Sequence, residues 1–215
     1  MEFKNLRVYG FSESILASGL PKAVDLKEYD HLMHVSETMA QEQEQAHSIF
    51  KRAYTRASKL GKAPIGSGHD CYLKGIRVQV DVKYTQYWSM QFQRYHFADI
   101  ISSQSKMHRI IEMGLNAGNT NGYVLPIIIS KVNELIQRYK NTDSAVERRE
   151  IFKHIMSNIP MGFMLWMRID LNYLQLKTIY RQRENSDARR LDEDWGDFCK
   201  WCLTLPFFEE LCLGE

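Results

Sequence analysis

Between residues 76 and 82 apolar and polar side chains alternate without a break, Ile76, Val78, Val80 and Val82 against Arg77, Gln79 and Asp81. A period of two puts one set on each face of an extended chain, so this stretch predicts a half-buried strand. A short strand is also predicted at LRVYG near the start, and a third at FMLWMRID, residues 163–170. Elsewhere the spacing is helical. Met39, Ala46, Ile49, Phe50, Ala53 and Tyr54 form one apolar stripe while Glu42 and Glu44 fall outside it, which predicts a helix over residues 36–60 stopped by Gly61. Two further helices are expected over 127–139 and 144–158, the second closed by Pro160, then one over 172–183 and one over 193–203 that ends before Pro206.

Between these elements lie three less regular stretches. Residues 84–97 carry Tyr84, Tyr87, Trp88, Phe92, Tyr95 and Phe97, aromatics whose first reading is core. The polar run SSQSKMH follows, and MGLNAGNTNGYVLP, with three glycines among three asparagines, reads as a surface loop. No internal repeat or low-complexity segment interrupts the pattern. The expected fold class is α+β, one helix-rich domain over residues 1–215 packed on a small mixed or antiparallel sheet.

Composition narrows the partners rather than the fold. With 44% hydrophobic and 25% charged residues the chain is an ordinary folded protein. A net charge of +2 is too small for a duplex-coating nucleic-acid binder. No apolar run approaches the ~20 residues that span a bilayer, and MEFKNLRVYG lacks a secretory core, so a cytoplasmic protein is expected. Cys71, Cys199, Cys202 and Cys212 are then expected as thiols. Cys199 and Cys202 form a CxxC, but they share helical spacing with Trp195 and Phe198, which marks them as core side chains rather than a metal or redox pair.

Two clusters carry candidate chemistry. One is Arg94, Tyr95 and His96 with Ser102, Ser103, Gln104, Ser105, Lys106 and His108 downstream. The other is Asn172, Lys177, Tyr180, Arg181 and Arg183 on one helix, with Arg189 and Arg190 beyond. Guanidinium forks and hydroxyls suit phosphate, and aromatic faces suit a base or a flavin, so a nucleotide is the natural ligand. The competing reading makes the arginines a solvated helix face and the serines a loop or a helix N-cap. Ser105 and His108 lack an orienting acid, and paired carboxylates are missing, so a cofactor is expected to do the hard step of any catalysis. A metal-dependent hydrolase built on His31, His34 and His69 or His108 is a weaker alternative, and no metal is expected.

Twelve positions separate Pro160 from Asn172, and eleven more lead to Arg183, in the pattern N-x-x-x-L-x-x-x-x-x-x-R with Leu176 in the middle. This resembles the C-terminal half of the flavin-dependent thymidylate synthases, with Ile159-Pro160 in place of a Leu-Pro. That family's Arg-His-Arg motif, followed after seven residues by Ser, falls on Tyr95-His96-Phe97 and Ser105, and the strand with Val78, Val80 and Val82 falls where the family has one. The resemblance implies a homotetramer that binds FAD and a pyrimidine deoxynucleotide between subunits and converts dUMP to dTMP. Methylenetetrahydrofolate would supply the carbon and NADPH the hydride. It further implies Arg183 as the catalytic residue that grips or polarises the pyrimidine, Ser105, Gln104 and Lys106 with it as substrate-binding residues, and His96, Asn172 and Arg94 on the flavin. The chain departs from the family at four arginine positions, now Tyr95, Phe97, Met107 and Met156, and Ser102-Ser103 replaces an Asn-Glu pair. Those departures define the alternative, a non-catalytic homologue that keeps the oligomer and binds a nucleotide or a partner.

Overall fold

The computed structural model describes residues 1–24, 27, 30, 33, 34, 43–184 and 192–214. His31, Met39, Arg189, Arg190 and the expected helical residues 36–42 lie outside these. The strands are β1 (Glu2–Tyr9), β2 (Arg77–Thr85), β3 (Asp99–Ser103) and β4 (Met164–Asn172). The helices are α1 (Phe11–Ala17), α2 (Gln43–Gly61), α3 (Gln86–Phe92), α4 (Lys106–Met113), α5 (Pro126–Asn141), α6 (Ala145–Asn158), α7 (Tyr173–Arg183) and α8 (Asp192–Leu203), with shorter helical turns at Leu20–Lys22, Cys71–Gly75 and Glu209–Leu213. The strands form one antiparallel four-stranded sheet in the order β1-β2-β4-β3. The chain is therefore α+β and helix-rich, as its pattern predicts.

The two inner strands follow the alternation read from the sequence. Val78, Val80, Val82 and Tyr84 of β2 are buried, as are Leu165, Met167, Ile169 and Leu171 of β4, while the intervening residues are partly exposed. The open-face side chains pair across strands: Lys83 with Glu2 at 2.6 Å, Arg168 with Asp81 at 2.8 Å and Arg77 with Asp170 at 2.9 Å. Strand β3 was not foreseen. All five of its residues are exposed, so no alternation betrays it.

The chain divides into two compact units. The first comprises Met1–Lys4, Asp81–His96 and Ile100–Ile169. In it α5 and α6 pack as a helical hairpin on Val132, Ile136, Ile151 and Ile155, and Trp88 stacks on Phe92 with ring centroids 4.7 Å apart. Helix α5 starts with Pro126 in its first turn, and α6 starts at Ser144, whose hydroxyl accepts from the Glu147 amide. The stretch 114–125 is more than a surface loop. Leu115, Asn119 and Thr120 are buried, and the Asn133 side chain pairs with both main-chain groups of Leu115 at 2.9 and 2.8 Å.

The second unit comprises Asn5–Val80, Phe97–Asp99 and Asp170–Glu215. Here α7 packs on α8 and on the turn at Cys71–Gly75. Trp195, Phe198, Cys199 and Cys202 of α8 are all buried, which is the core-cysteine reading, and burial pushes the Cys202 thiol well above its ordinary pKa. Gly61, the last residue of α2, has no room for a side chain, because a Cβ there would collide with the Leu211 carbonyl oxygen. Lys177, one of the cations of the second cluster, is no surface group. Its side chain is 3% exposed, and its ammonium donates to Asp70 Oδ2 at 2.6 Å, Gly61 O at 2.8 Å and Ala63 O at 2.7 Å.

Candidate functional site

In the first unit, Arg94 follows the end of α3, where its amide and that of Tyr95 close a turn onto Gln91 and Phe92. Arg94 and His96 are both exposed. Downstream, Ser105 is the N-cap of α4: its hydroxyl accepts from the His108 amide at 3.4 Å and lies 3.0 Å from His108 Nδ1. Ser105 is thus an N-cap, as the competing reading held, and that role holds its hydroxyl at the positive end of a helix whose first turn carries no acidic residue. Lys106 is half-buried, and its ammonium donates to Gln86 Oε1 at 2.6 Å. Gln86 was missed in the sequence; it opens α3, and its amide donates to Met161 O and Phe163 O. Gln104 is tied to β4, its amide donating to Trp166 O at 2.9 Å and its side-chain oxygen accepting from Trp166 N at 3.0 Å.

In the second unit, Asn172 is a buried N-cap in a reciprocal capping box with Gln175: Asn172 Oδ1 accepts from Gln175 N at 3.0 Å and Gln175 Oε1 from Asn172 N at 2.8 Å. The N-x-x-Q spacing is a capping signal that the sequence displays. The Gln175 side-chain amide also donates to the Phe97 carbonyl. Arg183 is half-buried, with its guanidinium 4.3 Å from the centroid of the Trp195 ring. Arg181 donates to Leu213 O at 2.8 Å and lies 3.6 Å from Glu184. Structural partners therefore occupy Lys177, Arg181 and Arg183 alike.

Two of the positions at which family arginines would stand are strongly exposed: Phe97 at 84% and Met107 at 59%. Phe97 also has φ of 73°, a left-handed conformation that bulky residues rarely adopt. Tyr95 and Met156 are half-buried. Among the described residues no group of three His, Cys, Asp or Glu side chains is arranged to hold a metal, and His31 of the metal alternative lies outside them. No described helix is long and apolar enough to cross a membrane.

Two solved structures of the flavin-dependent thymidylate synthase ThyX from Helicobacter pylori, complexed with FAD and dUMP, superpose with a TM-score of 0.61 over 99% of this chain and 98% of theirs. The chain has their fold. The sequence identity is 12%. No family model and no curated protein matches the sequence. The fold is thus held in common where almost all side chains differ.

Proposed function

We propose that the protein is a flavin- and pyrimidine-nucleotide-binding enzyme of the thymidylate synthase type, converting dUMP to dTMP. The observation that carries this reading is the full-length fold likeness to ThyX structures that hold FAD and dUMP, despite 12% identity. The donor set is compatible with an anion. Ser105 and Lys106 sit at the N-terminus of α4, and Arg94 and His96 are solvent-accessible. In this reading Ser105, Gln104 and Lys106 hold the substrate phosphate, Arg183 holds the pyrimidine ring, and Arg94, His96 and Asn172 hold the flavin. FAD, when bound, supplies hydride transfer, with NADPH as its reductant and methylenetetrahydrofolate as the carbon donor. Arg183 is suited to its part because a planar guanidinium can meet a ring carbonyl at two points, and its stacking on Trp195 limits the rotamers it must give up on binding. The reading includes a homotetramer.

A second reading, a non-catalytic homologue that binds a nucleotide or a partner, is favoured by one observation: Phe97 and Met107 present exposed apolar surface where the family pattern calls for cations. The experiment is flavin binding by visible absorption of the purified protein, followed by titration with dUMP and deoxyuridine and an assay for dTMP. Retained flavin, dUMP bound more tightly than the nucleoside, and dTMP formed are expected. A colourless preparation that ignores added FAD refutes the enzyme reading, and equal affinity for nucleotide and nucleoside removes the phosphate site.

A further inference from the structure

We propose that Phe97 is a stacking platform for the isoalloxazine ring of a flavin and that Gln175 is the positioning residue that holds it there, an assignment that rests on the flavin reading above. Among the described residues, Asn5, Phe97 and Phe207 are the non-glycine residues with positive φ. Asparagine enters the left-handed region readily. Phe207 has a packing reason to do so, since its ring meets those of Phe11 and Tyr54 with centroids 5.4 and 5.5 Å apart. Phe97 has no such reason. Its φ is 73°, it is 84% exposed, and its ring makes no aromatic or cation–π contact among the described residues. A bulky residue in a strained backbone persists only where its surroundings over-determine it, and such residues cluster at ligand sites.

What holds Phe97 is the capping box of α7. The Gln175 side-chain amide donates to the Phe97 carbonyl, while its side-chain oxygen accepts from the Asn172 amide at 2.8 Å and its main-chain amide donates to Asn172 Oδ1 at 3.0 Å. One side chain therefore closes the cap and clamps the turn that leads into β3, and all three residues lie in the second unit. A phenyl ring has no charge to offer a phosphate. It offers an apolar face, and the part of a ligand that suits such a face is flat and aromatic. Of the two ring systems in the reading, the flavin is the one assigned to Asn172, to which Gln175 ties Phe97, and to His96, which precedes Phe97 in the chain. Stacking there would also take from water a ring that the protein itself leaves uncovered.

Gln175→Glu separates the bonds of that side chain. A carboxylate oxygen accepts from the Asn172 amide as the amide oxygen does, so the capping box persists, but it has no N–H for the Phe97 carbonyl. With FAD as the probe, Gln175→Glu and Phe97→Ala are each expected to weaken binding about fivefold or more, the scale of one lost aromatic stack, with the circular dichroism spectrum unchanged. Phe97→Gly relieves the positive φ, so it is expected to melt no lower than the parent and still to lose FAD affinity. Should Gln175→Glu misfold, the exposed Phe97 variants decide. Phe97→Trp keeps a stacking face and adds an indole, which quenches flavin emission on contact, so FAD is expected to stay bound and to emit less than on the parent. Parent-like FAD affinity in folded Phe97→Ala and Phe97→Gly overturns the proposal and leaves the flavin reading standing, and parent-like affinity in folded Gln175→Glu overturns the positioning role. Bound FAD whose emission Phe97→Trp leaves unaltered overturns the stack. So does a Phe97→Ala protein that binds dUMP more weakly and FAD as before, which gives the ring to the pyrimidine. A parent protein that binds no FAD overturns both the proposal and the reading beneath it.

Discussion

Replacing Lys177 tests whether the buried ion pair anchors α7. Its ammonium donates to Asp70, Gly61 and Ala63, and side-chain exposure is 3% for Lys177 and 2% for Asp70. Water therefore cannot take over when one partner is lost. Lys177→Met strands a carboxylate and two carbonyl oxygens, and breaking a buried pair by removing one member destabilises by about 3–5 kcal/mol. For a chain of this size each kcal/mol moves the melting temperature by about 2–4 °C, so a fall of about 6–20 °C is expected in scanning calorimetry. Asp70→Asn keeps the shape and the two carbonyl bonds but removes the counter-charge from a buried ammonium, and a fall within the same range is expected. The double variant Lys177→Met with Asp70→Leu removes both charges, and it is expected to be less destabilised than the sum of Lys177→Met and Asp70→Leu alone. A melting temperature lowered by less than about 2 °C in Lys177→Met refutes the assignment, since so small a shift leaves under ~1 kcal/mol for the whole cluster.

Ser105→Ala is expected to lose about 1 kcal/mol of stability as an N-cap and to weaken dUMP binding; Ser105→Asp restores the cap but opposes a phosphate, so stability that recovers while affinity does not separates the two roles. Arg183→Lys keeps the charge but loses the planar fork over Trp195, and about a tenfold loss of dUMP affinity is expected alongside a small fall in melting temperature; unchanged affinity makes the arginine purely structural. Stability is expected to decline in alkaline solution. Burial pushes the Cys212 thiol from its reference value of 9.0 up to about 12, so its contribution is complete below the unfolded pKa and is lost as pH rises from 9.0 toward about 12. Cys212→Ala is expected to flatten part of that slope in denaturant titrations at successive pH values, and an unaltered slope contradicts the burial assignment.

What was legible in the sequence was whatever repeated. The alternation of β2 and β4, the limits of α5 and α6, and the buried face of α8 follow from periodicity, because each of these elements has one face in a core and one outside it. Strand β3 has no buried face, so its five residues carry no pattern, and it is a strand only because β4 offers it a ladder. Helix α3 was hidden for the opposite reason: aromatics at Tyr87, Trp88 and Phe92 signal burial without signalling period. Lys177 was misplaced because its carboxylate lies 107 positions earlier in the chain. A lone cation on a helix looks solvated until that distant partner is known.

That last failure bears on how a nucleotide site can be read at all. The cations of α7 looked like one anion-binding face, yet Lys177 closes the segment that holds Asp70, Arg181 closes the C-terminal turn at Leu213, and Arg183 lies over a core tryptophan. Each has a structural partner sufficient to explain its charge, so residue type there carries little weight for a ligand. At α4 the balance differs. Ser105 needs only a hydroxyl to cap the helix, and Lys106, whose ammonium donates to Gln86 Oε1 at 2.6 Å, meets there a neutral amide rather than an acid. A positive side chain at a helix N-terminus opposes the macrodipole, a local conflict that stability alone does not favour. An anion bound there would relieve it. The phosphate half of the proposal therefore rests on α4 more firmly than the pyrimidine half rests on Arg183, and Lys106→Gln, which lightens the conflict, is expected to weaken dUMP binding while leaving the protein at least as stable. A variant that loses stability and keeps its affinity would place Lys106 with the structural cations of α7.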